Sequence, residues 1–216
     1  MTRARWYFDF ISPFSWLQHA RFDRLPADLE VERRPLLFAA LLDHWEHKGP
    51  AEIPGKRRYT YRWCRWYAER HGIPFRMPAA HPFNPLQALR LAIALDCDAA
   101  AVDRIFRFIW EEGRDVSDPA EFARLCDSLG VADPAAATSD PGVRYRLRAN
   151  GEEALSLGVF GVPTFAVERP GGGYELFWGE ESTEMLLDWL RDPVAFEAGE
   201  MARISDLPYG RVRPGS

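Results

Sequence analysis

The chain has 216 residues, 47% hydrophobic and 27% charged, with eight Trp and fourteen Phe. That is one ordinary domain's worth of chain, able to bury a core without disulfides, and it excludes a disordered or collagen-like class. A formal net charge of −5 argues against a polyanion binder. Three cysteines, Cys64, Cys97 and Cys126, lie far apart with no CxxC pair. They make neither a disulfide framework nor a zinc site, and they point to a reducing, cytoplasmic home. Basic residues are almost all Arg, with lysine only at Lys48 and Lys56, which reads as a composition bias. The apolar run near the N-terminus is broken by Asp9 and Pro13, so secretion is not expected, and no run reaches the ~18 apolar residues of a membrane span.

In chain order, Arg5 to Ile11 reads as a buried strand that stops at the N-terminus of a helix, with Ser12 near the N-cap and Pro13 at N1. Trp16, Leu17, Ala20 and Phe22 begin that helix's buried face. Leu29 to Leu36 alternates like a second strand, which gives β-α-β. From Leu37 to about Leu157 the pattern turns helical. Segments are expected over Lys56 to His71, Leu86 to Leu95, Ala101 to Trp110, Pro119 to Leu129 (with an Asp118/Glu121 capping box) and Val143 to Leu157. Strand character returns at Val162 to Val167 and, after the Pro170 to Gly173 turn, at Tyr174 to Trp178, a β-hairpin. A last helix runs from near Ser182 to Leu190. The two strand regions are too small to bury a face separately, so they predict one sheet interrupted by an insertion. The fold class is α/β: a discontinuous thioredoxin-like domain over 1–36 and 158–192, a helical insertion over 37–157, and an irregular tail over 193–216 that contains RVRPGS.

The runs YFDFISPFSWL, RWYAERHGIPFRMP with HPFNPL, and GVFGVPTFAV followed by FWGEE resemble the 2-hydroxychromene-2-carboxylate isomerase family. That family belongs with the DsbA-like and kappa-class glutathione transferase thioredoxin folds. The resemblance extends from about Trp6 to Leu190. It implies a glutathione-dependent cis–trans isomerase of aromatic catabolism, working by reversible thiol addition, rotation and elimination. Relatives are commonly homodimers, and the implied partners are glutathione and a small aromatic substrate, with no nucleic acid, membrane or metal.

Redox members of the fold place a CxxC where this chain has Ser12-Pro13-Phe14-Ser15. A helix N-terminus stabilises an adjacent anion, and Ser12 lacks the thiol needed for disulfide exchange. Ser12 can instead donate its hydroxyl to an external thiolate, or serve as an N-cap; the two roles coexist. By resemblance, a cis Pro163 leaves the backbone of Val162 free to pair with the cysteinyl part of glutathione as a short added strand. Trp178, Gly179, Glu180 and Glu181 would hold the γ-glutamyl end, with Glu181 on its ammonium. Relatives often have Asp then Arg where this chain has Glu181 and Ser182, and the alternative reading is two solvated glutamates in a helix's first turn. Substrate candidates from the family's pattern are Phe38, Pro50, Glu52, Pro78 and Asn84, of which Asn84 also suits an Asx-turn. A kappa-like transferase would use the same site; a DsbA-like oxidoreductase relative without redox cysteines is the third reading.

Two further patterns carry bland readings. In KRRYTYRWCRWYAER, Tyr59, Trp63, Trp66 and Tyr67 fall on one helical face, which reads as a core helix with a solvated basic side rather than a nucleic-acid stacking platform. His44 and His47 lie three apart with no third ligand fixed by spacing.

Overall fold

A computed structural model describes residues 2–208 and 210. The chain divides into two compact units, Met1–Glu180 and Glu181–Ser216. In the first, one four-stranded sheet has the order β2-β1-β3-β4, with β1 at Thr2–Phe8, β2 at Leu29–Pro35, β3 at Thr164–Glu168 and β4 at Tyr174–Trp178. β1 pairs parallel with β2 and antiparallel with β3, and β3 pairs antiparallel with β4 in the expected hairpin. Strands separated by the whole helical segment therefore share one sheet, the thioredoxin arrangement with a helical insertion.

The central strand is buried on both faces, which is why its sequence is a run of aromatics rather than an alternation. Trp6 and Phe8 stack at 4.3 Å, and Phe106, His19 and Phe22 surround them. Tyr7 points to the opposite face and packs with Leu36, Leu41, Ala154, Val159, Val162 and Ala166. Each such fully buried large side chain contributes about 1.5–3 kcal/mol of transfer free energy.

β1 ends at Phe8, three residues earlier than the sequence predicts, because the buried Asp9 carboxylate bends the chain. Its Oδ1 accepts the Ile11 amide at 3.1 Å and its Oδ2 the Phe38 amide at 2.9 Å. Helix α1, Pro13–His19, follows with Ser12 as N-cap and Pro13 in its first turn, as expected. Trp16 and Leu17 are buried, whereas Ala20 and Phe22 are half-buried.

The insertion holds α2 (Phe38–His44), α3 (Pro54–Arg70), α4 (Leu86–Ala94), α5 (Ala99–Trp110), α6 (Pro119–Ser128), α7 (Pro134–Ser139) and α8 (Pro141–Ser156). Asp98, Asp118, Asp133 and Asp140 each cap the helix they precede. The short α2 and α7 have no strong apolar period and escape the sequence reading. α8 starts two residues before Val143, with Pro141 in the first turn, where its missing N–H is harmless.

The face expected of α3 is corrected. Tyr59 and Trp66 are 70% and 54% exposed, and the buried stripe is Cys64, Tyr67 and Ala68, with Trp63 half-buried beside it. These residues recur at i, i+3 and i+4, so the helix is amphipathic about an axis rotated from the aromatic one.

The second unit carries α9, Thr183–Arg191, with Leu186 and Trp189 buried. Where an irregular tail is expected, a 3₁₀ turn over Pro193–Glu197 and helix α10 over Gly199–Ser205 are present. The Asp192 carboxylate accepts the Ala195 amide, and Pro193 opens the turn, so local capping drives this structure. RVRPGS lies outside the described residues. Among the described residues no helix is long and apolar enough to cross a membrane.

Candidate functional site

A cavity of about 670 Å³ opens beside the N-terminus of α1, within the ~300–1,000 Å³ of small-molecule sites. Of the residues singled out in the sequence, it brings together Ser12, Phe38, Pro50, Glu52, Val162 and Trp178. These come from the β1–α1 loop, the start of α2, the turn before α3, the loop before β3 and the end of β4.

Ser12 is 7% exposed, with an extended backbone. Its Oγ accepts the Ser15 amide at 3.3 Å, the capping bond. That bond uses a lone pair, and no described residue accepts the hydroxyl proton, so capping and donation into the cavity are compatible. α1 has only seven residues, about two turns, so its dipole is a minor aid to any anion here.

Val162 is 7% exposed and precedes a cis Pro163. Among the described residues none takes up its backbone N–H or C=O, an arrangement rare for a buried peptide group. The neighbouring atoms are engaged: the Gly161 carbonyl accepts Thr164 Oγ1 at 2.8 Å, and the Pro163 carbonyl accepts the Gly179 amide at 2.9 Å. Trp178 is half exposed at the cavity wall, edge-on to Phe160 at 5.0 Å. A Cβ at Gly161 would collide with the Trp178 indole, so glycine is required there.

The other candidates lie elsewhere. Glu180 is 3% exposed, and its Oε1 accepts Arg21 Nη1 at 3.1 Å and the Tyr67 hydroxyl. Its carboxylate is thus committed to an internal cluster and does not line the cavity. Gly179 and Pro163 are buried, do not line the cavity, and join each other through the backbone bond above. Glu181 is exposed and begins the second unit. Pro78 is buried away from the lining. Asn84 Oδ1 accepts the Leu86 amide at 3.0 Å, the Asx alternative, and Asn84 borders a separate cavity of about 340 Å³. Glu52 lines the main cavity, but its Oε1 is held by the Gly49 amide at 2.5 Å, which closes the turn.

Several lining residues were not singled out in the sequence as site candidates. Both lysines of the chain, Lys48 and Lys56, border the cavity; their scarcity, read as composition, was the available signal. Tyr61 and His81 also line it. Tyr61 Oη lies 2.6 Å from His81 Nδ1, and His81 Nε2 lies 2.8 Å from the Ile11 carbonyl oxygen. Burial and the Arg57 charge outweigh the Ile11 bond and hold the His81 imidazole below its usual pKa, so it is neutral near pH 7. Burial pushes the Asp9 carboxyl up to about 7 despite the backbone amides it accepts. The thiols of Cys64, Cys97 and Cys126 are pushed up to about 12, 11 and 11 by burial. The chain's own sulfurs are therefore protonated and poor nucleophiles.

A family model described as a DSBA-like thioredoxin domain matches residues 5–191. Glutathione S-transferase kappa 2 of Caenorhabditis elegans is 26% identical over 211 residues, which cover 88% of this chain and 92% of the relative. The 2-hydroxychromene-2-carboxylate isomerase of Pseudomonas putida is 28% identical over 191 residues, covering 83% and 90%. A solved structure of a 2-hydroxychromene-2-carboxylate isomerase superposes with a TM-score of 0.72 at 25% identity, covering 91% of this chain and all of that one.

Proposed function

The chain belongs to the DsbA-like thioredoxin family, and from that premise we propose that it is a glutathione-dependent isomerase of a 2-hydroxychromene-2-carboxylate-like aromatic compound. The observation that carries the reading is the unpartnered Val162 peptide group on the same cavity as the free Ser12 hydroxyl proton. One offers an added-strand pairing for an extended peptide, the other a donor for its sulfur. The relative named as a kappa glutathione transferase supports glutathione as the ligand, and the one named as an isomerase supports the reaction class.

When bound, glutathione supplies a thiol whose reversible addition to a conjugated carbon turns a double bond into a rotatable single bond. Ser12 donates its hydroxyl to the sulfur and favours the thiolate. Val162 fixes the peptide's register. Lys48 and Lys56 present cations to carboxylates of the peptide and the substrate. Phe14, Phe38, Leu42 and Phe160 give the aromatic an apolar wall and exclude water.

A kappa-type transferase would share these residues and is the second reading, favoured by the nematode relative. Melting curves with and without glutathione test the ligand, and product analysis separates the activities. Stabilisation by glutathione with isomerised, unconjugated product supports the isomerase. A stable conjugate with a chlorodinitrobenzene, without isomerisation, supports the transferase. No stabilisation, with activity unchanged in Ser12→Ala, defeats both.

A further inference from the structure

Tyr61 and His81 make a directed hydrogen-bond chain between α3 and the loop that carries Ser12. The Ile11 carbonyl only accepts, so the His81 Nε2 atom that faces it at 2.8 Å carries the ring proton. The neutral imidazole then has a bare Nδ1, and the Tyr61 hydroxyl, 2.6 Å from it and 3.1 Å from the His81 carbonyl, donates to the nearer acceptor. The chain is braced from one side: Arg57 donates its Nε to Tyr61 Oη and an Nη to the His81 carbonyl, both at 3.0 Å. The Phe83 and Trp110 rings, at 5.9 and 5.6 Å, confine the imidazole. Arg57 and Tyr61 of α3 are the titratable side chains in contact with His81, and the β1–α1 loop offers it only a backbone carbonyl. Ser12, adjacent to Ile11, lines the same cavity as both rings.

We propose that Tyr61 and His81 are the proton relay of this cavity, Tyr61 being the catalytic residue that meets the reacting thiol and His81 the store for its proton. The inference rests on the glutathione reading for the identity of the thiol. Tyr61 Oη takes the thiol proton as its own phenolic proton passes to His81 Nδ1. One S–H bond breaks and one N–H bond forms, the sulfur keeps its electron pair as a thiolate, and Tyr61 ends as it began. The imidazolium has both protons accepted, by Tyr61 Oη and the Ile11 carbonyl, and the thiolate formed across Tyr61 supplies the negative charge that offsets the burial and the Arg57 charge keeping His81 neutral in the free chain. The same path returns the proton when the thiol leaves, so the relay is neutral over a cycle. A purely structural strut would not need a place on the cavity wall.

The test is calorimetric titration of glutathione into the full chain near pH 7 in two buffers of different ionisation enthalpy, with ultraviolet absorbance to count bound thiolate. Wild type is expected to form thiolate while releasing far less than one proton per thiolate. In Tyr61→Phe, which keeps the His81–Ile11 bond, and in His81→Gln, either each thiolate formed releases about one proton to solvent or the thiolate signal is lost. With a turnover substrate, kcat in Tyr61→Phe falls about 10²-fold while KM for glutathione changes less than about twofold. The relay is overturned if wild type binds glutathione without forming thiolate, if it releases a full proton per thiolate, or if both variants match wild type in proton count and thiolate. Failure of wild type to bind glutathione shows as a flat isotherm; it removes the glutathione reading, and the relay with it.

Discussion

The Phe38 amide donates to the Asp9 carboxylate at 2.9 Å, joining the start of α2 to the loop that bears Ser12. With the Ile11 amide on its other oxygen, Asp9 ties two walls of the cavity to one fully buried carboxyl. In Asp9→Asn one of the two amides faces an NH₂ and loses its acceptor, at a cost of about 1–3 kcal/mol. The folded-state pKa is raised to about 7 from an ordinary 3.8, so the folded chain holds a proton that the unfolded chain releases. The stability linked to Asp9 is therefore complete below about pH 4 and is lost as pH rises through about 7. Urea unfolding at pH 5 and pH 8 checks this: the stability advantage of wild type over Asp9→Asn shrinks at the higher pH.

His19 has the opposite sign. It is buried among Trp6, Phe22 and Phe106, and burial lowers its pKa more than the Asp103 carboxylate, 3.3 Å from Nε2, raises it. The folded chain keeps His19 neutral while the unfolded chain protonates near its ordinary 6.5. Stability from this site is present above that pH and is lost as pH falls below it. His19→Phe fits the aromatic stack and flattens the acid limb of the stability–pH curve; an unchanged limb would exclude His19 as its source.

Gly161→Ala places a methyl against the Trp178 indole. The overpacking costs about 1–3 kcal/mol and displaces either Trp178 or the Val162 segment. The expected result is altered tryptophan emission together with at least severalfold weaker glutathione binding, measured by calorimetry.

Lys48→Gln and Lys56→Gln each remove an exposed cation from the cavity rim. Exposed ion pairs contribute about 0.2–1 kcal/mol, so each variant weakens glutathione binding by up to about fivefold. The salt dependence of Kd also flattens, because the screened charge is gone. Titrations at low and high salt measure both effects.

The parts of this structure legible in the sequence are those fixed by local chemistry. Ser12 and Pro13 announce a helix start because capping involves atoms within three residues, and Val162 to Trp178 reads as a hairpin because alternation and a glycine-rich turn are local too, although the first strand begins only at Thr164. Asp9 is different: its role depends on an amide 29 positions away, and nothing in FDF marks the carboxyl as buried. α2 hides for the same reason, since the acceptor for its first amide lies on another element. On α3 the aromatic residues obey helical spacing, yet the neighbours decide burial, and Tyr67 is buried where Glu180 and Arg21 meet it while Trp66 faces out. Asn84 and Glu180 are spent on internal bonds that spacing does not reveal. Tyr61 and His81 are 20 residues apart and face each other only because the chain folds back after α3.

In the proposed function, the thiol absent from this thioredoxin site arrives with glutathione and sits at Ser12. A crystal structure of the chain with glutathione tests it most directly, with Ser12→Asp, which keeps the helix cap but repels a thiolate, as the comparison. The expected result is the sulfur within hydrogen-bond reach of Ser12 Oγ and the cysteinyl backbone paired with the Val162 N–H and C=O, both lost in Ser12→Asp. Glutathione bound elsewhere, or bound identically in Ser12→Asp, would contradict it.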